Sequence, residues 1–166
     1  MEFDTAPARL RALPSWLLGQ AALASQRIGN DHLGAVGANR RQAALLSALD
    51  EVDEASQAEL GRRLGIDPGD MARLVGSMEA EGWVRRTPDA TDRRRNLVAV
   101  TPGGRRRLRR LDEVLARVQQ DLLAPLTPTQ RRELVHLLTK LLRHHAVSVA
   151  DDSSKPGTGY SPPRTS

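Results

Sequence analysis

Ser56 to Thr101 reads SQAELGRRLGIDPGDMARLVGSMEAEGWVRRTPDATDRRRNLVAVT, and the fold of the whole chain follows from it. Ser56, with Glu59 three residues on, has the form of a capping box, in which each side chain satisfies a backbone N–H at the other's position. Leu60 and Leu64 give that helix a buried face, and Gly65 is placed to end it as a left-handed cap. Asp67 then caps a second helix, with Pro68 at its first position and Asp70 at the capping-box position. Met71, Leu74, Val75 and Met78 recur at helical spacing and predict the inward face, which leaves Gly69, Asp70, Arg73 and Ser77 outward. A short polar face of this kind can approach base edges in a DNA major groove. After Gly82, WVRRT and NLVAVT alternate apolar and polar residues as half-buried strands do, and PDATDRRR is the turn between them. The spacing predicts a winged helix-turn-helix: a mainly α chain with a small β-hairpin wing.

Arg93, Arg94 and Arg95 crown that turn. A planar guanidinium at a hairpin tip can enter a narrow minor groove or pair with flanking phosphates. An arginine run alone is commonly a solvated loop; directly after a helix-turn-helix it reads as a nucleic-acid contact. The residues predicted to meet DNA are Ser56, Gln57, Pro68, Gly69, Asp70, Arg73, Ser77, Arg93, Arg94 and Arg95. Asp70 leaves two readings open. Folded back it caps its own helix and reads no base; pointing outward it can accept a hydrogen bond from cytosine N4.

The charge follows the same stretch. Ser56 to Arg110 holds 13 arginines against 7 carboxylates, whereas the whole chain carries 25 basic and 20 acidic residues, so the positive excess belongs to one face. The absence of cysteine excludes disulfides, thiolate metal sites and a cysteine-based peroxide sensor within this chain. No apolar run reaches the length of a membrane span and the N-terminus lacks the ordered regions of a secretory signal, so a cytoplasmic protein without membrane contact is expected. A length of 166 residues predicts one compact domain with extensions.

The stretch resembles the DNA-binding domain of the MarR family of bacterial transcriptional regulators. SQAELGRRLGI corresponds to the supporting helix, DPGDMARLVGSMEAEGWV to the recognition helix and DATDRRRNLVAVT to the wing. Asp92, Arg93 and Arg94, followed by alternating apolar residues and by Thr101 opening a helix, are the specific part, and the likeness covers roughly Pro14 to Leu142. It implies an obligate homodimer on a palindromic double-stranded DNA operator, with repression relieved by a small aromatic or phenolic effector. The family's recognition helix commonly carries Ser, Thr or Gln near its start, whereas here Asp67 and Asp70 stand where phosphates would pass.

Outward from this core, residues 1–13 are expected to form an N-terminal arm, residues 14–38 and 102–147 the dimerisation helices, residues 39–101 the winged helix-turn-helix, and residues 148–166 a disordered tail. Pro14 suits the first position of a long helix, Asn39 with Gln42 caps the next, and Thr127 with Gln130 caps the last. Leu108, Leu111, Leu115, Val118 and Leu122 make a seam suited to another helix. Arg105, Arg106, Arg107, Arg109 and Arg110 crowd the start of that same helix, where cations oppose the macrodipole unless a phosphate backbone compensates them. Leu134, Leu137, Leu138, Leu141 and Leu142 form a wide apolar face that one small domain does not easily bury. With the family likeness, Leu17, Leu111, Leu115, Leu134, Leu138 and Leu141 are the expected dimer interface.

The likeness also places an effector between the dimerisation helices and the reading head. Trp16, Gln20, His32, Arg40 and Arg41 would suit an aromatic acid there, its ring on Trp16 and its carboxylate held by an arginine. Without a ligand, Trp16 reads as a core or interface anchor and the arginines as solvated or phosphate-bound. No catalytic constellation stands out. His32, His136, His144 and His145 lack the spacing of a zinc helix motif, the adjacent pair should point to different helix faces, and neither metal nor cofactor is expected. The competing reading is a winged-helix protein-interaction module that no longer binds an operator, favoured by the acidic recognition helix. Steep salt dependence would separate the two.

Overall fold

The computed structural model describes residues 3–89 and 96–152, with side-chain surroundings for residues 4–89 and 96–145. A 3-10 turn Phe3–Thr5 and α1 (Ala8–Arg11) lead into α2 (Pro14–Gly34), α3 (Arg40–Asp50), β1 (Ala55–Ser56), α4 (Gln57–Leu64) and α5 (Pro68–Ala80). Then follow β2 (Val84–Pro88), β3 (Asn96–Val100), α6 (Pro102–Leu122) and α7 (Pro128–Asp152). The three strands form one antiparallel sheet in the order β1-β3-β2, with Val84 opposite Val100, Thr87 opposite Leu97 and Ala55 opposite Val98. The helix-turn-helix and the two hairpin strands stand where the spacing predicts them, whereas β1 was not foreseen: two residues are too few to show a period.

The helix starts have identifiable causes. Pro14 occupies the first turn of α2, where its missing N–H costs nothing. Asn39 and Gln42 form a full capping box, with bonds of 3.0 Å in both directions. Thr127 and Gln130 do the same at 3.3 and 2.9 Å for α7. At α4 the Ser56 half of the expected box is present, its hydroxyl accepting from the Glu59 N–H at 3.3 Å. Gly65, with φ 63° and ψ 37°, closes α4 in the left-handed conformation that only glycine adopts without strain.

Packing divides the chain into two units, Met1–Leu122 and Leu123–Ser166. In the first, Leu45, Leu46 and Leu49 of α3 meet Leu60, Met71, Val75, Met78, Val84, Val98, Leu108 and Leu111 in one core that also takes in Leu33. Each such side chain contributes about 1.5–3 kcal/mol by leaving water. This core corrects one expectation. The seam of α6 meets another helix, as its spacing predicts, and that helix is α2 of the same chain. Leu111 is fully buried in its own core, which takes it out of the expected dimer interface, while Leu115 is half-buried against the same core. In the second unit, α7 continues to Asp152, past Ser148 where the tail was expected to begin. No proline or glycine stands between Ser148 and Asp152, so nothing local stops the helix at Ser148. The rest of the expected tail lies outside the described residues.

Candidate nucleic-acid interface

Helix α5 carries the candidate reading face. Asp67 Oδ1 accepts the Asp70 N–H at 2.9 Å, Pro68 follows at the first position, and Met71, Leu74, Val75 and Met78 are buried. Pro68, Gly69, Arg73 and Ser77 are exposed along the outer face, and Ser77 Oγ donates to the Leu74 carbonyl at 2.8 Å. Ser56 is not part of that surface: it is buried and its hydroxyl is committed to the cap of α4. Gln57, half-buried, lines a mainly apolar cavity of about 580 Å³ at the α4–α5 turn, together with Arg62, Ile66, Pro68 and Met71.

Asp70 follows neither of its two predicted readings. Its Oδ2 accepts from Arg41 Nη1 at 2.9 Å, and its Oδ1 is held by Arg73 Nη2 from the next turn of the helix. Burial pushes this carboxyl upward, but the hydrogen bond from Arg41, the charges of Arg73 and Arg41, and the Arg73 bond together hold it below the ordinary carboxylate value. The acidic residue that stands where phosphates would pass is thus answered by two guanidinium groups. Arg73 remains largely outside, its side chain 76% exposed.

The wing is described at its strands only; Asp92, Arg93, Arg94 and Arg95 lie outside the described residues. Its base is anchored twice. Glu79, near the end of α5, accepts the Arg86 backbone N–H at 3.0 Å through Oε1 and the Arg86 guanidinium Nε at 2.7 Å through Oε2. The side-chain bond from Arg86, then its backbone bond, outweigh burial and lower the Glu79 carboxyl, while Arg86 is raised. A lowered carboxylate stabilises the fold above its unfolded value of 4.5 and loses that contribution as pH falls below it. The melting-temperature gap between wild type and Glu79→Gln should therefore be largest near neutral pH and close towards pH ~3. A gap independent of pH would show that the carboxylate charge is not what joins α5 to β2.

The second anchor is the start of α6. Thr101 Oγ1 lies 2.6 Å from the Gly82 carbonyl, to which it donates, and accepts the Gly104 N–H at 3.0 Å. Arg107 turns inward, contrary to its expected place on a phosphate-facing run. Its Nη2 donates to the Val36 and Gly37 carbonyls at 2.7 and 3.0 Å, and its guanidinium stacks 4.8 Å from the Trp83 ring centre. Arg105 pairs with Asp50 at 3.4 Å, while Arg106, Arg109 and Arg110 stay exposed. The acidic end of α3 is likewise used: Glu51 pairs with Arg63 of α4.

The five expected effector residues do not converge within one chain. Arg40 and Arg41 line a cavity of about 500 Å³ with Asn30, Asn39, Asp70, Arg73, Leu74 and Ser77. Trp16 stands some four turns before Asn30 on α2, about 21 Å along the axis, and Gln20 about 15 Å. His32 is occupied elsewhere, its Nε2 lying 2.7 Å from Asp121 Oδ2 of α6. The rings of His144 and His145 touch edge to face at 5.1 Å despite their divergent positions on the helix. Among the described residues, no helix is long and apolar enough to cross a membrane.

Residues 36–95 match the model described as MarR family. The chain is 31% identical over 96 residues to a protein assigned to regulation of the hcr operon in Thauera aromatica, a match spanning 58% of each chain. It is 27% identical over 117 residues to the multiple antibiotic resistance protein MarR of Escherichia coli, covering 70% of this chain and 81% of that one. The crystal structure of MarR in its apo form superposes with a TM-score of 0.70 over 78% of this chain and 96% of the other, at 25% identity. The PcaV transcriptional regulator of Streptomyces coelicolor, solved with its natural ligand, gives a TM-score of 0.68 at 26% identity, covering 84% and 98%.

Proposed function

The chain belongs to the MarR family of transcriptional regulators, and from that premise we propose that it is a homodimeric repressor of a palindromic operator, released by a small aromatic or phenolic ligand. The outer face of α5 reads the major groove, and Arg93, Arg94 and Arg95 reach the minor groove or its phosphates. Residues 14–38 and 102–147 serve dimerisation and residues 39–101 the reading head. The observation that carries this reading is the exposed Arg73 at the front of α5, beside a carboxylate already matched by two arginines. That pairing also weakens the case for a protein-interaction module, which rested on an acidic recognition helix.

The cavity bounded by Arg40, Arg41 and α5 is the best-supported seat for the effector, because it adjoins both a dimerisation helix and the reading face. PcaV with its ligand supports the idea that a protein of this fold answers to a small molecule. A ligand that favours another separation of the two recognition helices lowers operator affinity by its differential affinity for the two states.

The test is affinity for duplexes selected by the protein from a random library, measured across a salt series. Neutralising several phosphates should make affinity fall steeply with salt. Arg94→Ala should weaken binding at least tenfold, about 1.4 kcal/mol, through loss of a groove or phosphate contact. Salt-independent binding would return the protein-interaction module to first place, and an unchanged affinity in Arg94→Ala at moderate salt would sink the wing assignment. A panel of aromatic acids and phenols that left operator affinity unchanged would remove the ligand from the proposal.

A further inference from the structure

Arg41, Asp70 and Arg73 form a chain of contacts that joins the start of α3 to the outer face of α5. Asp70 is the middle member: its side chain is 22% exposed, against 61% for Arg41 and 76% for Arg73. Each carboxylate oxygen takes one guanidinium, Oδ2 that of Arg41 and Oδ1 that of Arg73. Asp70 is fixed at its backbone as well, where its N–H is bound by Asp67 at 2.9 Å. The Arg73 side chain runs back towards the start of the helix, and a Cβ at Gly69 would lie 3.7 Å from its Nη1. The guanidinium therefore sits over the first turn of α5, the end of a recognition helix that enters the groove.

We infer that Asp70 is a specificity-determining positioning residue: clamped by Arg41, it holds the Arg73 guanidinium at one angle so that its remaining N–H groups meet O6 and N7 of a guanine. This rests on the reading of α5 as the recognition helix. An arginine presents five N–H donors in a planar fork, and the bond to Asp70 leaves enough of them on the free edge for a bidentate contact. Unbuttressed, the same side chain would still attract any phosphate, because its charge is unchanged, but it would no longer favour one base over another. Asp70 thus trades general affinity, which its negative charge lowers, for discrimination between sequences.

That division gives the experiment its readout. Affinities would be measured for a duplex selected in vitro by the wild-type protein and for a scrambled duplex of the same composition, using wild type, Asp70→Ala, Arg73→Lys and the double variant, each checked for folding by its thermal melt. Asp70→Ala should bind the scrambled duplex as well as wild type or better, and lose about tenfold in the ratio of selected to scrambled affinity. Arg73→Lys, which keeps the charge and loses the fork, should lose a similar ratio, and the double variant should lose no more than either alone. A ratio unchanged in Asp70→Ala would overturn the inference, and so would losses that add in the double variant, since Asp70 would then act independently of Arg73. Failure of the underlying reading would look different: the wild-type protein itself would select no sequence from the library.

Discussion

Replacement of Gly104 by alanine is expected to cost about 3 kcal/mol and to lower the melting temperature by about 10 °C. A Cβ at this position would lie 2.0 Å from the Trp83 carbonyl oxygen and 2.7 Å from a methyl of Val100. Neither neighbour is free to retreat. The Trp83 carbonyl accepts the Thr101 N–H at 3.0 Å, and Val100 ends β3 in register with Val84 of β2. The added methyl must push α6 off the base of the wing or break the cap that starts the helix. Gly103 is the milder comparison, because its Cβ would lie 3.1 Å from the Gly82 carbonyl oxygen, a tight contact that asks for a far smaller shift than the 2.0 Å approach at Gly104. Urea or thermal unfolding of both variants measures the difference. A Gly104→Ala protein as stable as wild type and equal to it in DNA binding would mean that α6 and the hairpin do not approach so closely, whereas weaker DNA binding at unchanged melting temperature would show a displaced α6.

The two glycines illustrate what the sequence discloses. A Gly-Gly pair in the first turn of a helix runs against helix propensity, and a close backbone approach is the usual reason. That signal was available. So was the phase of Arg107: it stands four residues before Leu111 and three after Gly104, on the inward side, but a run of five arginines within six residues hides which one turns in. Caps, turns and the apolar faces of α4 and α5 were legible because each depends on neighbours within a few residues. The Arg41–Asp70 pair was not, because it joins residues 29 apart through side-chain directions that no local spacing reports. The same reason keeps the expected effector residues apart within one chain: Trp16 and Arg40 look close as features of adjacent helices, yet α2 rises about 1.5 Å per residue from Trp16 to its end at Gly34.

Leu141→Glu is expected to leave the chain monomeric in sedimentation and to lower affinity for a selected duplex at least a hundredfold. Leu134, Leu137, Leu138, Leu141 and Leu142 share one face of α7. Leu137, Leu141 and Leu142 are 51%, 46% and 71% exposed in the single chain, with Leu134 and Leu138 half-buried beside them. A protein in water does not ordinarily keep such an apolar stripe uncovered, and the proposed dimer would cover it. A carboxylate on the stripe would enter the interface without a partner, a penalty of several kcal/mol counted twice in a symmetric pair. The DNA effect is larger than that of any single contact. Two recognition helices held at the half-site spacing bind as one body, and a monomer forfeits the effective concentration that the second half-site supplies. His136→Glu places the same charge on the opposite face of α7 and should leave both assembly and binding intact, which separates an interface effect from a general effect of negative charge near DNA. A Leu141→Glu protein that sedimented as a dimer and bound as wild type would move the interface away from α7.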